Sequence, residues 1–517
     1  MRRLLLQLIV LTAAFGWSMP APSQDRLIVV LIVDGLRPNS INPVDSPALA
    51  RLRTEGAEYV NSHSLFPTVT RLNATALVTG AYPSANGIVG NTMFVPSVNP
   101  KSAFDTGDYK QIIRLDDTDG RAVTARTLGE ILQRNNRKLV TLSSGTTGVG
   151  FLLDPAARRN SGAAIHGRFD PGATVAFPKE VSDSILQRFG PAPAGNDELP
   201  LMQWTDTVLR DYVLPDLRPD VIIDWIGPLD ENQHATGPGS PQARNALRQI
   251  DESISKTIAQ IEALGLHDRT DIIIASDHGF AQNTIGVNAT DALIKAGLKK
   301  ATDSTDIIVA SQGQSILFYV AQRDPTRIGD LVRFLQQQPW VDVIFSAGGK
   351  GDQGRVPGTF SLDLIHESHP TRAPDVIASL AWTSEPNSFG IPGTHTTNGS
   401  RSGPLQTGAG HGGLNPCVVH NTFIASGVDF QKHVRLDAPV SLADVAPTVL
   451  RVLGIDGVNG KDKNHGRILE EVMNAHRNST IKTAHRTAKV SAASYEASID
   501  ISTVAGHEYI DGGSKKK

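Results

Sequence analysis

The chain has 517 residues, with 49 Lys and Arg against 52 Asp and Glu, a formal net charge of -3, and 5% aromatic residues. That balance supplies neither the basic footprint of a nucleic-acid binder nor the stacking platforms of a single-strand binder, so no nucleic-acid specificity is expected. The single cysteine, Cys417, excludes an intramolecular disulfide, and a chain of this length must be stabilised by burial instead.

At the N-terminus, Arg2 and Arg3 precede an apolar stretch from Leu4 to Phe15, interrupted by Gln7, with the small residues Ala21 and Ser23 behind it. This is a secretory signal pattern, shorter than the roughly 20 apolar residues of a membrane span. Residues 1–23 are expected to be a cleaved signal peptide, and the mature chain to be secreted or periplasmic with no stable membrane span.

Continuous apolar or β-branched runs follow at Leu27 to Val33, Lys138 to Leu142, Val221 to Ile226, Ile272 to Ala275, Val376 to Trp382 and Cys417 to Ala425. Each reads as a strand buried on both faces. Helical patterns lie between them. The clearest starts at Ser240 and Pro241 and places Ala243, Leu247, Ile250, Ile254, Ile258 and Ile261 on one stripe before Gly265. The alternation predicts an α/β fold, a mainly parallel central sheet covered by helices on both faces. From Asp306 to Val343, a strand-like stretch, a helix over about Thr326 to Gln337 and WVDVIF suggest a small α+β insertion, placed at about 300–410. Gly348 to Phe360 and Ser384 to Gly410 read as loops. The main domain is expected over 24–480, with a C-terminal tail, 481–517, that could form a hairpin.

The stretch LIVVLIVDGLRP ends a buried run in Asp34. A turn-capping role is the bland reading; the alternative is a ligand site, since in open α/β sheets such sites lie at the carboxyl ends of strands. After the Val221 run comes GPLDENQHATGPG, with Asp230 and His234 in what reads as a surface loop. After the Ile272 run come Ser276, Asp277, His278 and Gly279, and GAGHGGLNP sets His411 among glycines. Adjacent residues on an extended strand face opposite ways, so Asp277 and His278 can share a region only if the strand has already turned. Taken singly each fragment is weak, but they share one placement. Asp34, Asp230, His234, Asp277, His278 and His411 form a carboxylate and imidazole set that suits zinc or a similar divalent ion. Six ligands are one short of a comfortable two-metal set.

The stretch from His63 to Phe94 carries Phe66-Pro67-Thr68-Val69-Thr70, a helix-like segment from about Arg71 to Val78, and Gly90-Asn91-Thr92-Met93. With Asp34-Gly35, D-x-x-x-H-x-x-G-P, S-D-H-G and the late His411 loop, this order resembles the nucleotide pyrophosphatase/phosphodiesterase branch of the alkaline phosphatase superfamily. The resemblance implies an alkaline-phosphatase-like fold and two divalent ions, with Asp34, Thr70, Asp277 and His278 holding one and Asp230, His234 and His411 the other. It makes Thr70 both the seventh ligand and the nucleophile, and Asn91 a donor to a non-bridging phosphoryl oxygen; Thr68 and Thr75 read as structural.

Metal coordination favours the alkoxide of an otherwise poor threonine nucleophile. A phosphothreonine-type intermediate hydrolysed by water would give net retention at phosphorus. Nucleotide-like diesters or pyrophosphates are the expected small-molecule substrates. Arg71 departs from the family, which places an aromatic residue there; it could bind extra phosphate charge and favour monoesters, or turn outward as a solvated helix residue, the reading preferred here. A phosphomonoesterase or phosphonate hydrolase on the same site, and a metal-stabilised binding protein, are the competing readings. The superfamily's sulfatases need C-x-P-x-R, whereas Cys417 opens C-V-V-H-N. Oligomeric state is not legible.

Overall fold

The computed structural model describes residues 26–170, 173–456, 465–476 and 481–516; the expected signal peptide lies outside them. Among the described residues no helix is long and apolar enough to cross a membrane.

A nine-stranded sheet forms the centre, in the order Val434–Leu436, Ala57–Tyr59, Phe423–Gly427, Thr270–Ala275, Leu27–Val33, Val221–Ile226, Leu139–Ser143, Ala163–Asp170, Thr174–Phe177. Its middle is parallel: Leu27–Val33 pairs in parallel with Thr270–Ala275 on one side and Val221–Ile226 on the other. The outer additions Phe423–Gly427 and Thr174–Phe177 are antiparallel to their neighbours.

Side chains alternate across a strand, and Leu27–Val33 shows what that does when both faces are covered. Leu27, Val29, Leu31 and Val33 pack with Leu49, Leu247, Ile250 and Ile254 of helices Pro47–Glu55 and Pro241–Ala263. Ile28, Val30 and Ile32 pack on the other face with Ala74, Leu77 and Val78 of helix Thr70–Thr79 and with Val449 and Leu450 of helix Val445–Val452. Full burial of one such aliphatic side chain stabilises by roughly 1.5–3 kcal/mol, so a strand apolar at every position is pinned from both sides. Helix Pro241–Ala263 starts where Ser240 and Pro241 predict, with the Ser240 hydroxyl accepting from Ala243 N–H.

Several expectations change. Val376–Leu380 is a buried strand, but of a separate five-stranded sheet, where it pairs antiparallel with Ser315–Val320 and Val341–Ser346. A continuous apolar run reports burial on both faces and not sheet membership. The Cys417 to Ala425 run divides into the short helix Pro416–Val419, started by the Asn415 cap and Pro416, and the strand Phe423–Gly427. Ser384 to Gly410 is no plain loop: it supplies Pro392–Asn398, Gly403–Pro404 and Ala409–Gly410 to a second five-stranded sheet with Trp382–Pro386 and Ala281–Val287.

At the C-terminus Thr483–Ala492, Tyr495–Val504 and His507–Lys515 form a three-stranded antiparallel sheet, one strand more than a hairpin. Its Ile499, Ile501 and Ile510 join a core shared with Phe345, Phe360 and Leu414. Trp382 Nε1–H also donates to Gly513 O at 2.7 Å.

Candidate active site

Asp34 follows the end of strand Leu27–Val33, and Asp277 and His278 follow Thr270–Ala275 with Ser276 between, so the chain has left the strand before either residue is reached. Gly279 then passes close under another segment: a Cβ there would lie 2.2 Å from Cys417 O. GPLDENQHAT is a helix, Pro228–Thr236, and not a surface loop. Pro228 opens it and Gly237 closes it, and the D-x-x-x-H spacing becomes an i, i+4 pair on one helix face, with His234 Nε2 3.4 Å from Asp230 Oδ2. Thr70 is the first residue of helix Thr70–Thr79.

These elements bring the candidate ligands together. Around one point lie His278 Nε2, Asp277 Oδ2 at 3.1 Å from it, Asp34 Oδ1 at 3.5 Å and Thr70 Oγ1 at 3.5 Å. Beside it His411 Nε2 lies 3.2 Å from His234 Nε2 and 3.6 Å from Asp230 Oδ1. The two groups touch, since the His278 and His411 rings stack with centroids 3.5 Å apart. Each histidine commits its other nitrogen to a backbone carbonyl: His278 Nδ1 to Gly279 O at 3.0 Å, His234 Nδ1 to Ala409 O at 2.9 Å, His411 Nδ1 to Thr68 O at 2.9 Å. Such bonds fix the tautomer and turn Nε2 inward.

The donor set fits divalent cations. Asp34 Oδ1, Asp230 Oδ1 and Asp277 Oδ2 are buried with no hydrogen-bond partner in the protein. A tetrahedral ion with bonds of about 2.0 Å holds its ligand atoms about 3.3 Å apart, close to the separations above. Burial, with Asp230 as a like charge, pushes the Asp34 carboxyl well above its usual range; Asp230 and Asp277 are raised by burial and by Asp277 and Asp34 respectively. Burial drives the His278 imidazole down to about 3 and His411 well below normal. Neutral imidazoles cannot balance three carboxylates, so the protein alone leaves the cluster short of positive charge.

Arg71 is the second residue of helix Thr70–Thr79, and Asn91 stands beside it. Asn91 Oδ1 accepts the Arg71 backbone N–H at 2.9 Å, and Gln312 Oε1 accepts Asn91 N–H at 2.7 Å. Arg71 does not turn outward as expected. Its side chain is 12% exposed, its Nη2 donates to Asp105 Oδ1 at 3.1 Å, and its charge helps depress His278 and His411. The 100° per residue of a helix separates neighbouring Cβ directions, but the long arginine stem reaches back to Asp105 on the short strand Phe104–Asp105. Thr68 is structural and more: its hydroxyl donates to Gly413 O and accepts from Gly412 N–H, holding the His411 loop. Thr75 Oγ1 donates to Arg71 O within the helix.

Two contributors escape sequence reading. Trp225 Nε1–H donates to Asp34 Oδ2 at 2.8 Å, and Gln312, on a hairpin turn of the insertion, also donates to Thr92 O at 2.6 Å. The signal for the first was an indole in a buried, mostly aliphatic strand, VIIDWI; nothing in the sequence pairs Gln312 with Asn91.

A family model described as type I phosphodiesterase / nucleotide pyrophosphatase matches residues 28–383. Ectonucleotide pyrophosphatase/phosphodiesterase family member 1 of Homo sapiens is 25% identical over 274 residues, 51% of this chain and 24% of that protein. Family member 7 of Homo sapiens is 26% identical over 257 residues, 50% of this chain and 48% of that protein. The chain therefore spans about half or less of the length of these curated relatives. Among solved structures, murine ectonucleotide pyrophosphatase / phosphodiesterase 5 has a TM-score of 0.59 at 15% identity, covering 87% of this chain and 100% of that one. A second structure of that murine protein, an inactive threonine-to-alanine variant in complex with AMP, has a TM-score of 0.58 at 16% identity over the same shares.

Proposed function

The chain belongs to the type I phosphodiesterase / nucleotide pyrophosphatase family, and from that premise we propose that it is an exported two-metal phosphoesterase acting on phosphodiester or pyrophosphate bonds of nucleotide-like substrates through Thr70. The observation that carries this reading is the convergence of Thr70 Oγ1 with His278, Asp277 and Asp34 at the start of a helix. Asp34, Thr70, Asp277 and His278 would hold one ion, and Asp230, His234 and His411 the other, with zinc the best match to the donor set. When bound, the ions would supply Lewis acidity and neutralise phosphoryl charge.

The chain's own residues do the positioning. Helix Thr70–Thr79 sets its positive dipole end at Thr70, beside the space an anionic phosphoryl group would fill, with the Arg71 N–H committed to Asn91 Oδ1. Thr70 attacks phosphorus in line as the P–O bond to the leaving alcohol or phosphate breaks, and carries the remaining phosphoryl or nucleotidyl group until water attacks the same phosphorus and releases the threonine hydroxyl. Asn91, its carbonyl oxygen taken by Arg71 N–H, offers its amide nitrogen to a non-bridging oxygen.

Arg71 favours a second reading. A guanidinium turned toward the site could bind the extra charge of a monoester. Asp105 offsets that charge and the Asn91 donor is neutral, so diesters remain the preferred substrates. Side-by-side rates on a nitrophenyl nucleotide diester and a nitrophenyl monoester decide: a faster diester supports the proposal, a faster monoester supports the second reading. Fewer than two divalent ions per chain, with activity indifferent to chelation, would remove the two-metal account altogether.

A further inference from the structure

Outside the active site, His63, His420 and Asp511 each bring one ligand atom within 4.8 Å of the other two. His63 is 1% exposed, its Nε2 is 2.8 Å from Asp511 Oδ1, and its Nδ1 is buried without a hydrogen-bond partner. His420 Nδ1 faces Ser62 O at 3.3 Å, which leaves Nε2 as its coordinating atom, the same device that orients the three active-site histidines. The two rings lie 4.8 Å apart between centroids, and Ser502 Oγ holds Asp511 in place at 2.8 and 2.9 Å.

We infer that His63, His420 and Asp511 form a further divalent-cation site, of zinc-like preference, that clasps the C-terminal sheet to the two segments flanking the active site. Two imidazoles and a carboxylate leave a coordination position for water, a common zinc donor set. A plain His63–Asp511 ion pair accounts for the 2.8 Å contact through Nε2, but not for the third member, His420. Topology gives the site its purpose. His63 ends the strand Ser62–His63 that leads toward helix Thr70–Thr79, His420 lies between His411 and strand Phe423–Gly427, and Asp511 belongs to strand His507–Lys515. Asp511 and His420 both lie beyond residue 383, where the family match ends.

The test counts ions. Parent, Asp511→Asn and His420→Gln are each loaded with Zn2+, dialysed and analysed for metal per chain, with hydrolysis of the nitrophenyl diester measured on the same samples. Each variant is expected to retain one equivalent fewer than the parent, with hydrolysis unchanged at saturating zinc. The same zinc content in parent and variants overturns the inference. Because the readout is a difference, it stands whatever number of ions the active-site cluster takes. Asp511→Asn preserves shape, so its count decides should His420→Gln fail to fold.

Discussion

Replacing Trp225 by Phe separates support of a ligand from the ligand itself. The indole is fully buried in strand Val221–Ile226 and its N–H is 2.8 Å from Asp34 Oδ2, while Asp34 Oδ1 has no protein partner. Trp225→Phe therefore strips the protein donor from one oxygen of a carboxylate whose other oxygen already has none. A hydrogen bond to a charged group is worth about 1.5–3 kcal/mol, and loss of such support around a metal ligand weakens metal affinity about 10–100-fold. The zinc dependence of diester hydrolysis, titrated against a chelator buffer, should shift by that factor toward higher free zinc, with the rate largely recovered at saturation. Trp204→Phe is the packing control, because Trp204 Nε1 is buried without a partner and its loss removes no such bond. An unshifted titration for Trp225→Phe, or equal shifts for both variants, would refute the claim that Asp34 is an indole-supported ligand.

Thr70→Ala should keep the far-ultraviolet spectrum and melting behaviour while losing several orders of magnitude in kcat; Thr68→Ala, which loosens the His411 loop, should lose less. Arg71→Ala should leave diester turnover nearly intact and lower whatever monoester turnover the parent has, read from kcat/KM on the two nitrophenyl substrates. His166 is fully buried, its Nδ1 accepting Arg168 N–H and its Nε2 bonded to Gly145 O, and burial drives it down to about 4. Its folded value lies below the unfolded one, so stability is present above about pH 6.5 and falls as pH drops toward 4, by up to about 3 kcal/mol. His166→Gln should flatten that part of the pH–stability curve in urea unfolding. Gly148→Ala would set a methyl 1.8 Å from Thr106 O and 2.8 Å from Gly107 Cα, backbone that cannot swing away. A loss of about 1–3 kcal/mol or more in unfolding free energy is expected.

Much of the site was legible because it stands where strands stop. Asp34 and the Asp277–His278 pair follow apolar runs that read as buried strands, and the abrupt charge after each marks a candidate strand-end site. Asp230 and His234 were legible as residues but not as a helical pair. Pro228 and Gly237 are helix start and stop signals, yet nine residues with few apolar positions give no stripe to read. The strands within Ser384 to Gly410 were lost for the same reason: Pro392–Asn398 is mostly threonine, glycine and other polar residues, and its pairing partners, not its periodicity, make it a strand. Arg71 was misplaced because what turns it is Asp105, on a strand far along the chain. The His63, His420 and Asp511 cluster joins three distant segments, and no local spacing announces it.

The account turns on a covalent step at Thr70, and the stereochemistry at phosphorus reads that step directly. Hydrolysis of a nucleotide diester made chiral at phosphorus with sulfur and labelled oxygen should proceed with net retention, since two in-line displacements each invert the centre. Net inversion would mean that water attacks the substrate in one step, and that Thr70 holds its place in the site without acting as the nucleophile.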